Sequence, residues 1–330
     1  MQKIIILLCS CLLFASCANA KTYKVATISP DGLGWMKQFR AGVKQVQELT
    51  DGRVKFRVYA AGTMGDDATV LRKMRIGQLH GGVVAAGSLT RFYKDLQVYN
   101  LPLTFKSLEE VDYVRERMDD RIVDGLRAGG IDSFHLTETG FAYLLSTKPV
   151  RTLEDIKKLK AWVPDGDPIA AELLKSFGVS PIPLSITDVL PSLQTGIINA
   201  VAVPPMVALA LQWHNHVEYM LDLPLIYVYS MLAMDSKSMS SMDSDDQVLT
   251  KGLLNGVFRK VDSETRIDNE KALSALKSQR IKIIQPEQMD VWEAIARKSI
   301  EDLVKSGGIS ADIVDTFQQH LIDFRSSSAE

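Results

Sequence analysis

From residue 23 onward, the apolar and polar positions predict alternating strands and helices. Tyr23 to Ser29 reads as a strand that ends in Ser29-Pro30-Asp31-Gly32. Met36, Phe39, Val43 and Val46 recur at the spacing of one helical face, and Asp51-Gly52 stops that helix. Val54, Phe56, Val58 and Ala60 then alternate with Arg53, Lys55, Arg57 and Tyr59, the period of a strand with one buried face. Ala61 to Gly65 is a turn, and a helix is predicted from Asp66 to Ile76 with Gly77 just past its end. His80 to Ala86 is a third strand, closed by Gly87-Ser88. Ser107-Leu108-Glu109-Glu110 has the pattern of a capping box and opens a helix through Val111, Val114 and Met118.

This order, β-α-β-α-β-α, implies a parallel or mixed sheet covered by helices. Ligands on such sheets bind beyond the carboxyl ends of the strands. Three strand-end loops here are rich in small residues: Ser29 to Gly32, Ala60 to Gly65, and Gly87-Ser88. Turn-making accounts for their glycines equally well. Around Thr139-Gly140-Phe141 the chain changes character. Short strands at Lys160 to Pro164, Val179 to Pro183 and Ala200 to Val203 are punctuated by Pro181, Pro183, Pro191, Pro204 and Pro205. Leu225 to Met231 is again a strand. Ser244-Asp245-Asp246-Gln247 has the capping-box pattern and opens a proline-free stretch with Leu249, Leu253, Val257 and Val261 as its buried stripe. A helix from Asp245 to Gln279 would be about 50 Å long at about 1.5 Å per residue, enough to span two units. A chain of 330 residues fits two domains better than one.

The N-terminus changes the picture. Lys3, the apolar run Ile4 to Leu8 with Leu12 to Phe14, and Ala18-Asn19-Ala20 form a secretory signal pattern, with 1–20 the expected leader and Lys21 the expected first mature residue. All three cysteines, Cys9, Cys11 and Cys17, fall inside it, so the mature chain has neither thiol nor disulfide. That suits an oxidising compartment and a core large enough to need no staple. Phe14-Ala15-Ser16-Cys17 also resembles a lipobox. Soluble export to the periplasm is the expectation and a lipid anchor at Cys17 the alternative. The formal charge of −2 becomes more negative once Lys3 is removed, which argues against nucleic acid as a partner and against a polybasic membrane patch.

Catalytic signatures are missing. There is no phosphate loop, dinucleotide fingerprint or His-Glu-x-x-His pair, and Ala86-Gly87-Ser88-Leu89 lacks the second glycine of a nucleophile elbow. His214 and His216, the nearest histidine pair, would point about 200° apart on a helix. Asp165-Gly166-Asp167 and Asp243 to Asp246 lack the spaced oxygen ligands of a calcium loop, and the second suits a helix start. The expectation is a binding protein, not an enzyme, with no metal and no cofactor. A hydrolase or isomerase using scattered residues is the rival.

Several stretches together carry a resemblance: Ala60 to Gly65, Arg75-Ile76-Gly77-Gln78-Leu79-His80-Gly81-Gly82, Thr139-Gly140-Phe141, Leu153 to Lys160 with Val163-Pro164, and Leu193-Gln194-Thr195-Gly196-Ile197-Ile198-Asn199-Ala200. In order and spacing they resemble the DctP-type substrate-binding subunits of tripartite ATP-independent periplasmic (TRAP) transporters. The resemblance implies a two-lobed α/β periplasmic binding protein, type II-like, with crossing strands and a long interdomain helix. It places lobe I at 21–143 plus about 232–268, lobe II at 144–231 plus about 269–305, and a C-terminal helical extension at 306–330. It implies a small-molecule ligand in the cleft and small and large membrane subunits as partners.

Two departures from the family stand out. Trp162 occupies the place of the arginine that pairs with a substrate carboxylate, and Val203 that of an asparagine. In this the chain looks closest to the subgroup that works with a periplasmic tetratricopeptide-repeat protein. Exchanging guanidinium for indole removes charge-assisted donors and adds an apolar face. The expected ligand is therefore largely hydrophobic, stacked on Trp162, with a polar end near Ser29, Ser88 or Ser185. An organic acid held by a displaced base such as Lys160 or Arg91 is the alternative, as is an envelope lipid-handling role without a permease. The expected cleft residues are Ser29, Trp35, Met64, Ser88 and Phe141 from one lobe and Trp162, Ser185, Val203 and Trp213 from the other. Core packing fits Trp35 and Trp213 equally well.

Overall fold

The computed structural model describes residues 20–327, so the leader and Cys17 lie outside the described residues. The first half contains β1 (Lys21–Thr27), α1 (Gly34–Leu49), β2 (Val54–Tyr59), α2 (Asp67–Arg75) and β3 (Gly81–Ala85). β1 pairs in parallel with both β2 and β3, which the intervening helices α1 and α2 make possible as crossovers. The Asp66 carboxylate caps α2 by accepting the Thr69 N–H, and Gly77 leaves the helix at φ +72°. Next come α3 (Leu108–Ala128), β4 (Ile131–Ser133) and β5 (Thr137–Ser146). Only half of the expected capping box forms at α3. Ser107 accepts the Glu110 N–H at 3.3 Å, but the Glu110 carboxylate takes the Lys106 N–H at 2.7 Å and pairs with Arg325.

The second half is built from shorter pieces: α4 (Leu153–Ile156), β6 (Trp162–Pro164), α5 (Pro168–Ser176), β7 (Ile182–Leu184), α6 (Ile186–Thr195), β8 (Ala200–Val203), α7 (Pro205–Ala210) and β9 (Tyr219–Leu221). The chain then returns through β10 (Ile226–Asp235), α8 (Ser236–Ser240), α9 (Ser244–Ser278), β11 (Lys282–Ile284), α10 (Met289–Lys305) and α11 (Ala311–Ser327). A nine-stranded sheet runs β11-β9-β5-β10-β3-β1-β2, with β4 beside β10 and β8 beside β5, and β6 and β7 form a separate pair. The ten-residue strands β5 and β10 cross between the lobes. β10 pairs with β3 through Ser230 to Met234 and with β5 through Ile226 to Ser230, while the far end of β5 pairs with β8 and β9.

The crossing strands are not regular. Their register shifts between Val228 and Tyr229, leaving Thr139 as an extra residue on β5. Gly140 follows at φ +111°, where a Cβ would stand 2.6 Å from the Asn269 amide nitrogen. Asn269, on α9, donates to the Thr139 carbonyl at 2.8 Å and accepts the Met206 N–H of α7 at 3.1 Å.

At 35 residues, α9 touches both lobes. Leu254 and Phe258 pack with Phe39 in the first, and Leu276 packs with Trp213 in the second. Its expected capping box is not formed: Asp243 is the cap position and makes no side-chain bond, and Gln247 instead donates to the Met242 carbonyl at 3.0 Å. Asp246 is drawn away to Arg53, whose guanidinium meets both carboxylate oxygens at 2.8 and 3.0 Å. Behind the crossing strands, buried Arg115 reaches Tyr227, Asp119 and Asp262, and Arg266 joins Glu138 to Asp112. These pairs tie α3 and α9 to β5 and β10.

The lobes are closed on each other. Ile169 and Leu173 of α5 share one apolar cluster with Leu89 and Leu96 of the first lobe and with Ile300 and Leu303 of α10. The C-terminal residues expected as an extension pack into that cluster, through Ile313, Val314, Phe317 and Leu321 of α11. No helix among the described residues is long and apolar enough to cross a membrane.

Candidate ligand-binding cleft

Between the closed lobes lies a cavity of about 380 Å³, a usual size for a small organic ligand. The carboxyl ends of β1 and β3 open onto it, as do the loop before α2, the crossing strands, and β6, β8, α5 and α7 from the second lobe. Six of the nine expected residues line it: Ser29, Trp35, Ser88, Trp162, Ser185 and Val203. The other three stand elsewhere. Trp213 is sealed in the second-lobe core. Phe141 points to the opposite side of the crossing strands, against Tyr227 at 5.8 Å between ring centres. Met64 packs on the first-lobe cluster, its carbonyl taken by Lys73 at 2.9 Å. The reasons are geometric. Successive strand residues face opposite sides of a sheet, and a large aromatic without a partner across the cleft is better placed in a core.

Trp162 is held from two directions. Its indole N–H donates to the Leu184 carbonyl at 2.9 Å on the paired strand β7, and its ring meets Trp213 edge to face at 5.3 Å. With its donor used inside the lobe, it offers a ligand only an apolar surface. Val163, Val203, Val207, Leu211 and Phe177 extend that surface.

Most polar groups face it from the first lobe, joined by Asp165, Asp167 and Ser185 from the second. The Asp67 carboxylate accepts the Ala85 N–H at 2.9 Å and the Ser88 hydroxyl at 3.1 Å. Burial pushes Asp67 up to about 6, against the pull of those two bonds. Asp67 retains some accessible surface even so, because part of it faces the cavity it lines. Buried Gln97 donates across the cleft to Asp167 at 2.7 Å, and Asp167 also caps α5 by accepting the Ala170 N–H at 3.0 Å. Burial raises Asp167 above the usual carboxylate range despite those donors. Gly87 lies flat against this bond; a Cβ there would overlap the Asp167 carboxylate and come within 2.7 Å of the Gln97 amide. Asn100 donates to the Tyr227 carbonyl at 2.6 Å, and its buried Oδ1 has no partner.

Among the described residues, no arginine, lysine or histidine lines this cavity. Lys160, one expected substitute for the missing arginine, bonds the Gly196 carbonyl at 3.2 Å in an exposed setting. Arg91, the other, lies over Phe92 at 4.6 Å. Arg115 and Arg266 sit behind the floor, already paired with carboxylates. An adjoining groove that shares Leu33, Trp35, Met206 and Ala210 does contain Lys271, together with Glu264 and Asp268. Among the described residues, no three histidine, cysteine, aspartate or glutamate side chains are grouped to hold a metal ion.

A two-lobed fold with an interlobe cavity invites comparison with known binding proteins. The family model DctP, described as bacterial extracellular solute-binding protein, family 7, matches residues 25–306. The chain belongs to that family. A curated solute-binding protein of Chromohalobacter salexigens is 26% identical over 184 residues, 55% of this chain and 54% of the relative, so the chain spans about half that relative's length. Among solved structures, the TRAP periplasmic solute-binding protein of Anaerococcus prevotii, with bound D-glucuronate, superposes with a TM-score of 0.84. It is 18% identical and is matched over 92% of this chain and 99% of its own. The TRAP protein of Desulfovibrio salexigens with bound orotic acid gives a TM-score of 0.83 at 16% identity, over 92% and 99% of the two chains. At such identities these likenesses establish the fold.

Asp67, Gln97, Asn100 and Asp167 were not foreseen as site residues. Asp167 was visible in Asp165-Gly166-Asp167, but only as an unconvincing calcium pattern. The usable signal for Asp67 was its place in the first helical turn after a small-residue loop at a strand end.

Proposed function

We propose that this chain captures a small, largely apolar organic solute outside the cytoplasm and delivers it unchanged to the membrane subunits of a TRAP-type transporter. The observation that carries the reading is the closed interlobe cavity with Trp162 and aliphatic side chains on one wall and no basic residue in its lining. A small dicarboxylate would lie there without a counter-ion, and an unpaired buried charge costs several kcal/mol. Burying apolar surface contributes instead, at about 25 cal/mol per Å². The reading includes export with Lys21 as the first mature residue, lobe boundaries near 143, 231, 268 and 305, and no catalysis. It extends to a small and a large membrane subunit and to a periplasmic tetratricopeptide-repeat partner.

Mass spectrometry of the solute that copurifies with the mature protein tests the reading, followed by calorimetry against D-glucuronate, succinate and neutral aromatic compounds. The neutral compounds are expected to bind at least tenfold more tightly than the acids. A second reading, capture of an organic acid, is favoured by the glucuronate and orotic acid bound to the structural relatives. Tight uronate binding that survives Trp162→Ala would establish it and sink the apolar one. Uptake restored by the membrane subunits alone, without this chain, would remove the transport role.

A further inference from the structure

The hydrogen-bonding capacity of the cavity's carboxylate and amide side chains leans toward acceptors. The Trp162 indole donates to Leu184, the Gln97 amide to Asp167, the Ser88 hydroxyl to Asp67 and the Asn100 amide to the Tyr227 carbonyl. Each of these groups thus donates one bond within the protein. The acceptors are not exhausted. Asn100 Oδ1 is buried and unpartnered, and carboxylates have more lone pairs than Asp67 and Asp167 have neighbours to fill.

The charge is one-sided. Five acids, Asp66, Asp67, Asp165, Asp167 and Glu138, line the cavity, and no base does among the described residues. Glu138 is neutralised by Arg266 at 2.7 Å. Thr69 and, across the cleft, Ser185 bond Asp66 strongly enough to outweigh burial and keep it below the usual carboxylate range. Asp67 and Asp167 are different. They come from opposite lobes, flank the Gly87-Ser88 turn, and depend on neutral donors alone.

Resting on the cavity as the solute site, we propose that the ligand carries a non-anionic head group that donates hydrogen bonds, best matched by a protonated amine, seated between Asp67 and Asp167. An ammonium has three donors and no acceptor, which complements the unpartnered Asn100 Oδ1 and the carboxylate lone pairs of Asp67 and Asp167. Its bonds to carboxylates are charge-assisted, and it relieves the desolvation that both acids suffer. A carboxylate head would meet two acids of its own sign. Because Asp167 belongs to the second lobe, a head group bonded to both acids also favours the closed arrangement over the open one.

The test uses the mature protein and three probes with one apolar body: phenethylamine, phenethyl alcohol and 3-phenylpropanoate, followed by calorimetry at pH 7.5. The amine is expected to bind about 10-fold more tightly than the alcohol and about 100-fold more tightly than the carboxylate. In Asp67→Asn and Asp167→Asn, the amine's advantage over the alcohol, read as the ratio of the two affinities within each variant, should shrink to about 3-fold or less. Carboxylate binding equal to or tighter than the amine's overturns the inference while leaving solute capture intact. So does an amine preference that persists in both variants. If no probe binds, the head group of the copurified solute decides: an amine or alcohol supports the inference and a carboxylate refutes it. Neither a bound probe nor a retained solute would bring down the solute-binding reading with it.

Discussion

The two walls of the cleft have different chemistry because the two lobes are built differently. The first lobe has parallel strands of five to seven residues, and their ends hold backbone amides and short polar side chains in fixed positions. Ser29 and Ser88 stand just beyond those ends, Asp67 begins α2, and Gln97 and Asn100 lie on the short helical segment Lys94–Asn100. The second lobe has strands of three or four residues broken by prolines, and it contributes mainly bulk: Trp162, Phe177, Val203, Val207 and Leu211. Direction in a binding site comes from polar groups on rigid elements, while affinity for an apolar body comes from area and tolerates loose geometry. The first wall therefore orients a solute and the second covers it.

The closing contact offers the most drastic way to break this division. Gly87→Val should push the Asp167 carboxylate and the Gln97 amide aside and hold the lobes apart. Affinity for the native solute is expected to fall about 100-fold or more, and small-angle scattering should show no compaction on adding it. Compaction like that of the parent protein would mean that the walls need not meet at this point.

The edge-to-face pair of tryptophans separates covering from mere packing. Either Trp162→Ala or Trp213→Ala should lower stability by about 3–5 kcal/mol, since both rings are buried against each other. Only Trp162→Ala should also cost about 10–100-fold in solute affinity, measured at a temperature where both variants are folded. Equal affinity losses would show that the second wall acts as one block.

On the polar wall, Asp67 makes a pH-dependent prediction. Its folded value near 6 lies above the ordinary carboxylate value, so between those limits the folded protein binds the proton more tightly. Whatever favourable contribution the protonated group makes is lost as the pH rises through about 6. Asp67→Asn, which can still accept from Ala85 and Ser88, should therefore gain about 2–3 kcal/mol at pH 7.5, and the gain should fade toward pH 4. Denaturant titrations at both pH values check it; a gain that does not vary with pH would mean that burial does not perturb this acid. The smallest expected effect is a control away from both walls. Ser107→Ala should cost about 1 kcal/mol through its lost helix cap and leave solute affinity unchanged, as thermal melts and calorimetry can show.

Much of the fold could be read along the chain because it depends on local periodicity. The Tyr23 to Ala86 strands and helices follow from period-two and helical spacing, and the long proline-free stretch after Ser244 is α9 almost to the residue. The failures have physical causes. At α3 the Glu110 expected to close a capping box found a stronger partner in Arg325, 215 residues away in sequence, and at α9 the cap falls on Asp243, so the expected Gln247 turns back to the Met242 carbonyl. The cleft was legible where a residue ends a strand, as with Ser29, Ser88 and Val203. It was not legible where the role depends on a contact between lobes. Gln97 and Asp167 are 70 positions apart, and nothing local to either predicts their bond. Phe141 shows the opposite error: it lies on the right strand, but its side chain faces the wrong side.

The single amide of Asn269 has a mechanical consequence. It clasps the irregular point of β5 with one end and the first turn of α7 with the other. α7 carries Met206, Val207 and Ala210, part of the covering wall. The bulge, the long helix and the wall thus meet at one fulcrum, where a small twist of the crossing strands is levered into a displacement of the surface above the solute. A protein arranged in this way can report, on its outer faces, whether its interior is filled, without any residue there touching what it holds.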